Sequence, residues 1–122
     1  MFAIHSKVEL LEQENRPLGS YARHYYDLFQ LSQHPEVEAM LRAQEYAEIK
    51  SDYDRISKEY FPQSYYFPEG MSFANSDALF PPAQLAARIS AEYESQCQLL
   101  CYGPYPSWAE VQERFLKIKE LL

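Results

Sequence analysis

Glycine is scarce in this chain, with three residues in 122, and cysteine is scarcer still, with two. So few glycines leave no Gly-rich turn of the kind that cradles phosphate, and no Gly-x-Ser-x-Gly elbow to expose a hydrolase serine. Cys97 and Cys101 are too few for a disulfide scaffold. One helical turn apart, they read as two small buried hydrophobes. The histidines, His5, His24 and His34, stand singly, so no second ligand pair accompanies the cysteines and no metal site is expected. Basic residues are outnumbered, 11 Lys and Arg against 18 Asp and Glu, for a formal charge of -7. That balance argues against a chain that grips phosphate backbones through its net field, and no direct nucleic-acid binding is expected of it alone. No apolar run approaches the roughly 20 residues that span a bilayer, and no basic segment followed by an apolar stretch opens the chain. A cytoplasmic protein that does not enter the membrane is therefore expected.

What remains is enough for one core. At 122 residues with 47% hydrophobic composition, the chain reads as a single helical domain, residues 1–122. Its apolar residues recur at helical spacing between sparse Gly and Pro signals, which predicts an all-α bundle of about five helices. The first covers 2–14, with Ile4, Val8 and Leu11 on one stripe, and stops before Arg16-Pro17-Leu18-Gly19. Ser20 is placed to cap a second helix from Tyr21 to about Gln33, whose apolar stripe is Tyr21, Tyr25, Leu28 and Phe29. A third helix is predicted from Pro35 to Tyr60. Pro35 suits the first turn, and Glu36 and Glu38 complement the positive helix end. Val37, Met40, Leu41, Ala47, Ile56 and Tyr60 give this helix an intermittent apolar side, and its charge-rich stretch allows a break near Ser51.

From Phe61 to Pro82 the helical pattern is lost. That segment reads as an aromatic-rich loop, with Tyr65, Tyr66, Phe67, Phe73 and Phe80, packed as a lid over the helices. Segment 83–102 returns to helix, with Leu85, Ile89, Tyr93, Gln96 and Leu100 near one face, and Gly103-Pro104 ends it. Ser107-Trp108-Ala109-Glu110 has the form of a capping box. It opens a final helix that buries Trp108, Val111, Phe115, Ile118 and Leu122.

The most informative local sequence is Ser20-Tyr21-Ala22-Arg23-His24-Tyr25-Tyr26-Asp27-Leu28. At about 100° per residue, Arg23 and Asp27 fall opposite Tyr21, Tyr25 and Leu28, so they face outward together. The plain reading is an i,i+4 surface ion pair. His24, on the flank of the stripe, reads as a packed histidine.

Together with Lys7-Val8-Glu9-Leu10-Leu11-Glu12 and the Arg16-Pro17 break, the string Arg23-His24-Tyr25-Tyr26-Asp27-Leu28 resembles the second half of AbiEii/AbiGii-type nucleotidyltransferases. These are the toxin components of bacterial abortive-infection and toxin–antitoxin pairs. The closing segment is similar as well: Leu79-Phe80-Pro81-Pro82 before a helix, Glu92-Tyr93, Gly103-Pro104 to Trp108, then a terminal amphipathic helix. Ser6 and Glu92 stand where the family commonly has Glu and Asp. The resemblance implies that Lys7, Arg23 and Asp27 line a nucleotide cleft in supporting catalytic roles. Lys7 or Arg23 would touch phosphate, and Asp27 would orient a cation or a hydroxyl. It also implies that the metal-binding α/β domain, with its Gly-rich turn and acidic pair, is not in this chain. Mg²⁺ and a nucleoside triphosphate would then be engaged only once such a domain completes the enzyme, and the chain alone is expected to be inactive.

The partners so implied are a separate nucleotidyltransferase domain or an antitoxin protein, and a cleft wall left uncovered favours a homodimer. A reading of another class is a non-catalytic helical module that binds protein through its acidic face, with Glu36, Glu38, Glu45, Glu48, Asp52 and Asp54, or through the surface that the missing domain would cover.

Overall fold

A computed structural model describes residues 1–63, 72–100 and 103–122, leaving aside the side chains of Phe2 and Leu100. Over these residues the fold is all-α, with six α-helices and no strand. The helices are α1 (Phe2–Glu14), α2 (His24–Ser32), α3 (Pro35–Arg42), α4 (Gln44–Tyr60), α5 (Ala83–Leu100) and α6 (Trp108–Ile118). Short 3-10 turns at Gly19–Arg23, Phe73–Asn75 and Lys119–Leu121 complete the framework. Tyr65, Tyr66, Phe67 and Cys101 lie outside the described residues.

An aromatic cluster at the meeting of α2, α5 and α6 forms the centre. Tyr25 meets Trp108 edge to face at 4.8 Å between ring centroids, and Trp108 in turn lies 5.8 Å from Tyr93. Phe115 closes the group 6.3 Å from Tyr25. Such large rings dominate core energetics, but a buried phenol needs a partner for its hydroxyl. Tyr25 donates to the carbonyl of Ala78 and Tyr93 to that of Pro106, both at 2.7 Å. Each bond ties a connecting segment to the helical centre. Burial holds the Tyr25 phenol far above its ordinary pKa, and the carboxylate of Glu92 adds to the effect.

Segment 72–80 is packed against the helices. Phe73, Ala78 and Leu79 are buried, and buried His5 of α1 shares a 2.7 Å hydrogen bond with Ser76. The hydroxyl of Ser76 also accepts from the Ala78 N–H. The expected lid therefore holds over residues 72–80, whereas residues 61–63 are exposed. On α5 the buried stripe is Leu85, Ile89, Tyr93 and Cys97, a regular i+4 ladder. Cys97 takes the place expected for Gln96, which is half-buried.

The predicted third helix is two. The break falls at Ala43, which adopts extended dihedrals (φ -83°, ψ 152°), and Ser51 sits inside α4. Helical phase explains the position. In one continuous helix, Tyr46, Lys50 and Ser57 would lie roughly 140–180° around from Leu41. The core takes Leu41 from α3 and the Tyr46, Lys50 and Ser57 edge from α4, so one straight helix cannot present both. A single extended residue resets the phase. As a consequence Ala47, Ile56 and Tyr60, expected on the apolar side, are exposed.

Candidate functional site

The junction of α1 and α2 gathers the residues that the sequence singles out. Asn15 ends α1 in the left-handed conformation (φ 54°), and Gly19 opens the following 3-10 turn with φ 56°. α5 fastens this link from outside. Arg88 donates to the Asn15 side chain at 2.7 Å, and Glu92 accepts the Gly19 N–H at 3.3 Å. Leu18 and Ala22 are buried beneath it. Two positive φ values so close together make a tight reversal that brings Tyr21 over α1.

Lys7 stands with its ammonium 4.4 Å from the centroid of the Tyr21 ring. Tyr21 in turn lies against the His24 imidazole, centroids 5.7 Å apart, and His24 Nδ1 is 3.5 Å from a carboxylate oxygen of Asp27. Lys7, Tyr21, His24 and Asp27 therefore form one continuous surface strip, cationic at one end and anionic at the other. Arg23, exposed at the end of the 3-10 turn, is next to His24 in the chain. Neither Lys7 nor Arg23 has a carboxylate partner among the described residues.

Three sequence expectations change here. Ser20 is inside the 3-10 turn, which has no side-chain cap, so it does not cap an α-helix beginning at Tyr21. Tyr21 is 40% exposed and belongs to the strip, while Ala22 is buried. The expected Arg23–Asp27 pair is replaced by His24–Asp27, and His24 is half-buried against the Tyr21 ring. All three follow from the turn: a 3-10 segment advances about 120° per residue, so it rotates positions 21 to 23 away from where an α-helix would place them. Tyr21 is thus a site residue that sequence spacing assigned to the core, and His24 one that it placed on the flank of the apolar stripe. The left-handed Gly19 was the signal available for the change.

A lysine backed by an aromatic face and an exposed arginine can both donate to a phosphate oxygen. Among the described residues no group of three or more His, Cys, Asp or Glu could hold a metal ion. Glu9 and Glu12 of α1 come near Asp77; burial first, and then the Asp77 charge, raise both glutamates above their ordinary pKa. An apolar hollow of ≈ 210 Å³ lies between α2, α3 and α6, lined by Leu28, Val37, Met40 and Phe115 among others. Its one polar lining side chain, that of Ser32, donates to the Phe29 carbonyl and accepts from Arg114.

Among the described residues no helix is long and apolar enough to cross a membrane. Comparison of the chain with protein-family models, with curated proteins and with solved structures gives no match.

Proposed function

We propose that this chain is the helical portion of an AbiEii-like nucleotidyltransferase, a toxin of a phage-defence or toxin–antitoxin system, and that it supplies one wall of the nucleotide cleft. The observation that carries the reading is the strip at the α1–α2 junction. Lys7 is positioned by the Tyr21 ring and not by a carboxylate, so its charge remains available to an anionic ligand. Arg23 extends the cationic end, and Asp27, held by His24, gives the strip an acceptor for a hydroxyl or a metal-bound water. Lys7 and Arg23 are the nucleotide-binding residues, and Asp27 has a supporting role.

Phosphoryl transfer needs divalent cations to neutralise the triphosphate. In this reading Mg²⁺ and its ligands come from a separate catalytic domain, and the helical portion alone positions nucleotide without turning it over. An antitoxin protein would act on the completed enzyme.

Titration calorimetry with GTP, ATP, CTP and UTP in Mg²⁺ tests the wall directly. Saturable binding is expected with at least one nucleotide, weakened about tenfold or more by Arg23→Ala or Lys7→Ala, as loss of a charge-assisted phosphate contact implies. Both side chains lie outside the buried core, so the helical circular dichroism should not change. Absence of heat with all four nucleotides, or equal affinity in both variants, would overturn the assignment.

A further inference from the structure

The hollow between α2, α3 and α6 is built by the fold and takes no part in the proposed nucleotide wall. Its walls come from Leu28 and Leu31 of α2, Val37 and Met40 of α3 and Phe115 of α6, among other apolar side chains. Leu31 is 54% exposed, and Val37 and Met40 are half-buried, so the hollow has a way in from solvent beside the α2–α3 turn. No charged side chain lines it.

The polar groups at its edge are already spent. Ser32 ends α2, and its hydroxyl donates to the Phe29 carbonyl at 2.8 Å and accepts from Arg114 Nε at 3.1 Å. The Leu31 carbonyl accepts the His34 N–H at 3.0 Å, and the Ser32 carbonyl accepts from the Arg114 guanidinium. Arg114 thus clasps the last turn of α2 to α6, a cation at the negative end of a helix, and fixes two walls of the hollow to each other. A ligand that carried a charge into this space would lose its water and find no partner. Water itself fares little better, because a buried water needs about two to four polar partners and the lining offers one hydroxyl whose proton is already donated. An apolar ligand supplies the contacts that such a void lacks.

Volume sets the size of that ligand. An apolar cavity of about 150 Å³ takes up benzene, and on the same scale ≈ 210 Å³ holds about eight carbon atoms. Drug-sized ligands need roughly 300–1,000 Å³, so a nucleotide does not fit. The lining favours a ring over a chain, since Phe115 offers an aromatic neighbour and Met40 a flexible thioether that packs well on aromatic rings.

We infer that this hollow binds a small neutral aromatic molecule of about eight carbon atoms, enclosed by α2, α3 and α6. The site shares no residue with Lys7, Arg23 and Asp27, so it stands independently of the nucleotidyltransferase reading.

The probe is toluene, with benzoate as the matched control, the same ring carrying a carboxylate in place of the methyl group. Methyl NMR of the full chain, labelled at Met, Leu and Val, should show saturable shifts at Met40, Leu28 and Val37 on titration with toluene. Benzoate should bind at least about tenfold more weakly, as an unpaired charge in an apolar lining requires. Val37→Phe fills the hollow and should weaken toluene binding about tenfold or more, read at Met40. Val37→Thr keeps the shape but sets a hydroxyl in the lining, and it should weaken binding about threefold. This second change is nearly isosteric at a half-buried position, so it reports even where a melting curve shows that Val37→Phe does not fold. Methyl groups that do not respond to toluene up to its solubility overturn the inference, as does wild-type affinity in a variant that retains the fold. Equal affinity for benzoate would overturn it in favour of an anionic ligand met by Arg114.

Discussion

α4 and α6 are both amphipathic, yet they use their apolar stripes in opposite senses. In α6 the stripe of Trp108, Val111, Phe115 and Ile118 is buried against α2 and α5. In α4 the row of Ile49, Tyr53, Ile56 and Tyr60 stays 43–66% exposed, and the only buried residue of that helix is Ser57. The start of each helix differs too. Ser107 accepts from the Glu110 N–H, and the Glu110 carboxylate accepts from the Ser107 N–H, whereas Ala43 offers α4 no side-chain cap. Hydrophobic period shows that a helix has a stripe. Where the stripe ends up depends on the path of the chain into the helix, and α6 is held to the core at its first turn while α4 is turned away at Ala43.

If that contrast is right, truncation should read it directly. Phe115→Ala removes a ring at the centre of the aromatic cluster and should destabilise by about 3–5 kcal/mol. Ile56→Ala, a deletion of similar chemical kind in the outer row, should stay within about 0.5 kcal/mol. Chemical denaturation of both variants is the measurement, and comparable losses would place the α4 row inside the folded unit.

The helix starts give a smaller, paired effect. Ser107→Ala should cost about 1 kcal/mol, because the Glu110 N–H loses its partner. Ala43→Ser should act in the opposite direction by up to about 1 kcal/mol, since residue 43 already has the extended dihedrals of an N-cap. A serine that leaves the melting temperature unchanged would mean that the break at 43 has no room for a capping bond.

How far the sequence revealed this arrangement follows from the same contrast. α1, α6 and the start of α3 were legible because period, capping box and proline position agree with where those helices pack. The α3–α4 break was not. Alanine is the strongest helix former, so no local signal marks residue 43, and the break exists only because Leu41 and the Tyr46–Ser57 edge must reach one core from opposite sides of a helical cylinder. At the junction, Lys7, Arg23 and Asp27 were picked out by motif, but the contacts that join Lys7 to Asp27 were hidden. A wheel drawn at α-helical pitch across residues 21–28 assigns Tyr21 inward and pairs Arg23 with Asp27. The five-residue 3-10 turn, which Gly19 permits, hands Asp27 to His24 and Tyr21 to Lys7.

The smallest expected effect concerns charge at the boundary between inside and outside. Glu9 and Glu12 lie on α1 near Asp77, and both are raised above their ordinary pKa by burial and then by the Asp77 charge. Between the ordinary glutamate value and these raised ones, the folded chain holds more protons than the unfolded chain. Its stability therefore falls as pH rises through that window, and the penalty persists at neutral pH. Asp77→Asn removes the second cause from both glutamates. At about pH 7 it should raise stability by no more than about 0.5 kcal/mol, because solvent screens groups so near the surface. That gain should shrink with added salt and disappear below about pH 4, where the carboxyls are protonated in either state. Thermal melts of the two proteins across pH and salt decide the matter. If Asp77→Asn melts lower than the parent at neutral pH, then Asp77 is holding segment 72–80 against α1, and the three carboxylates are a structural contact whose repulsion is outweighed.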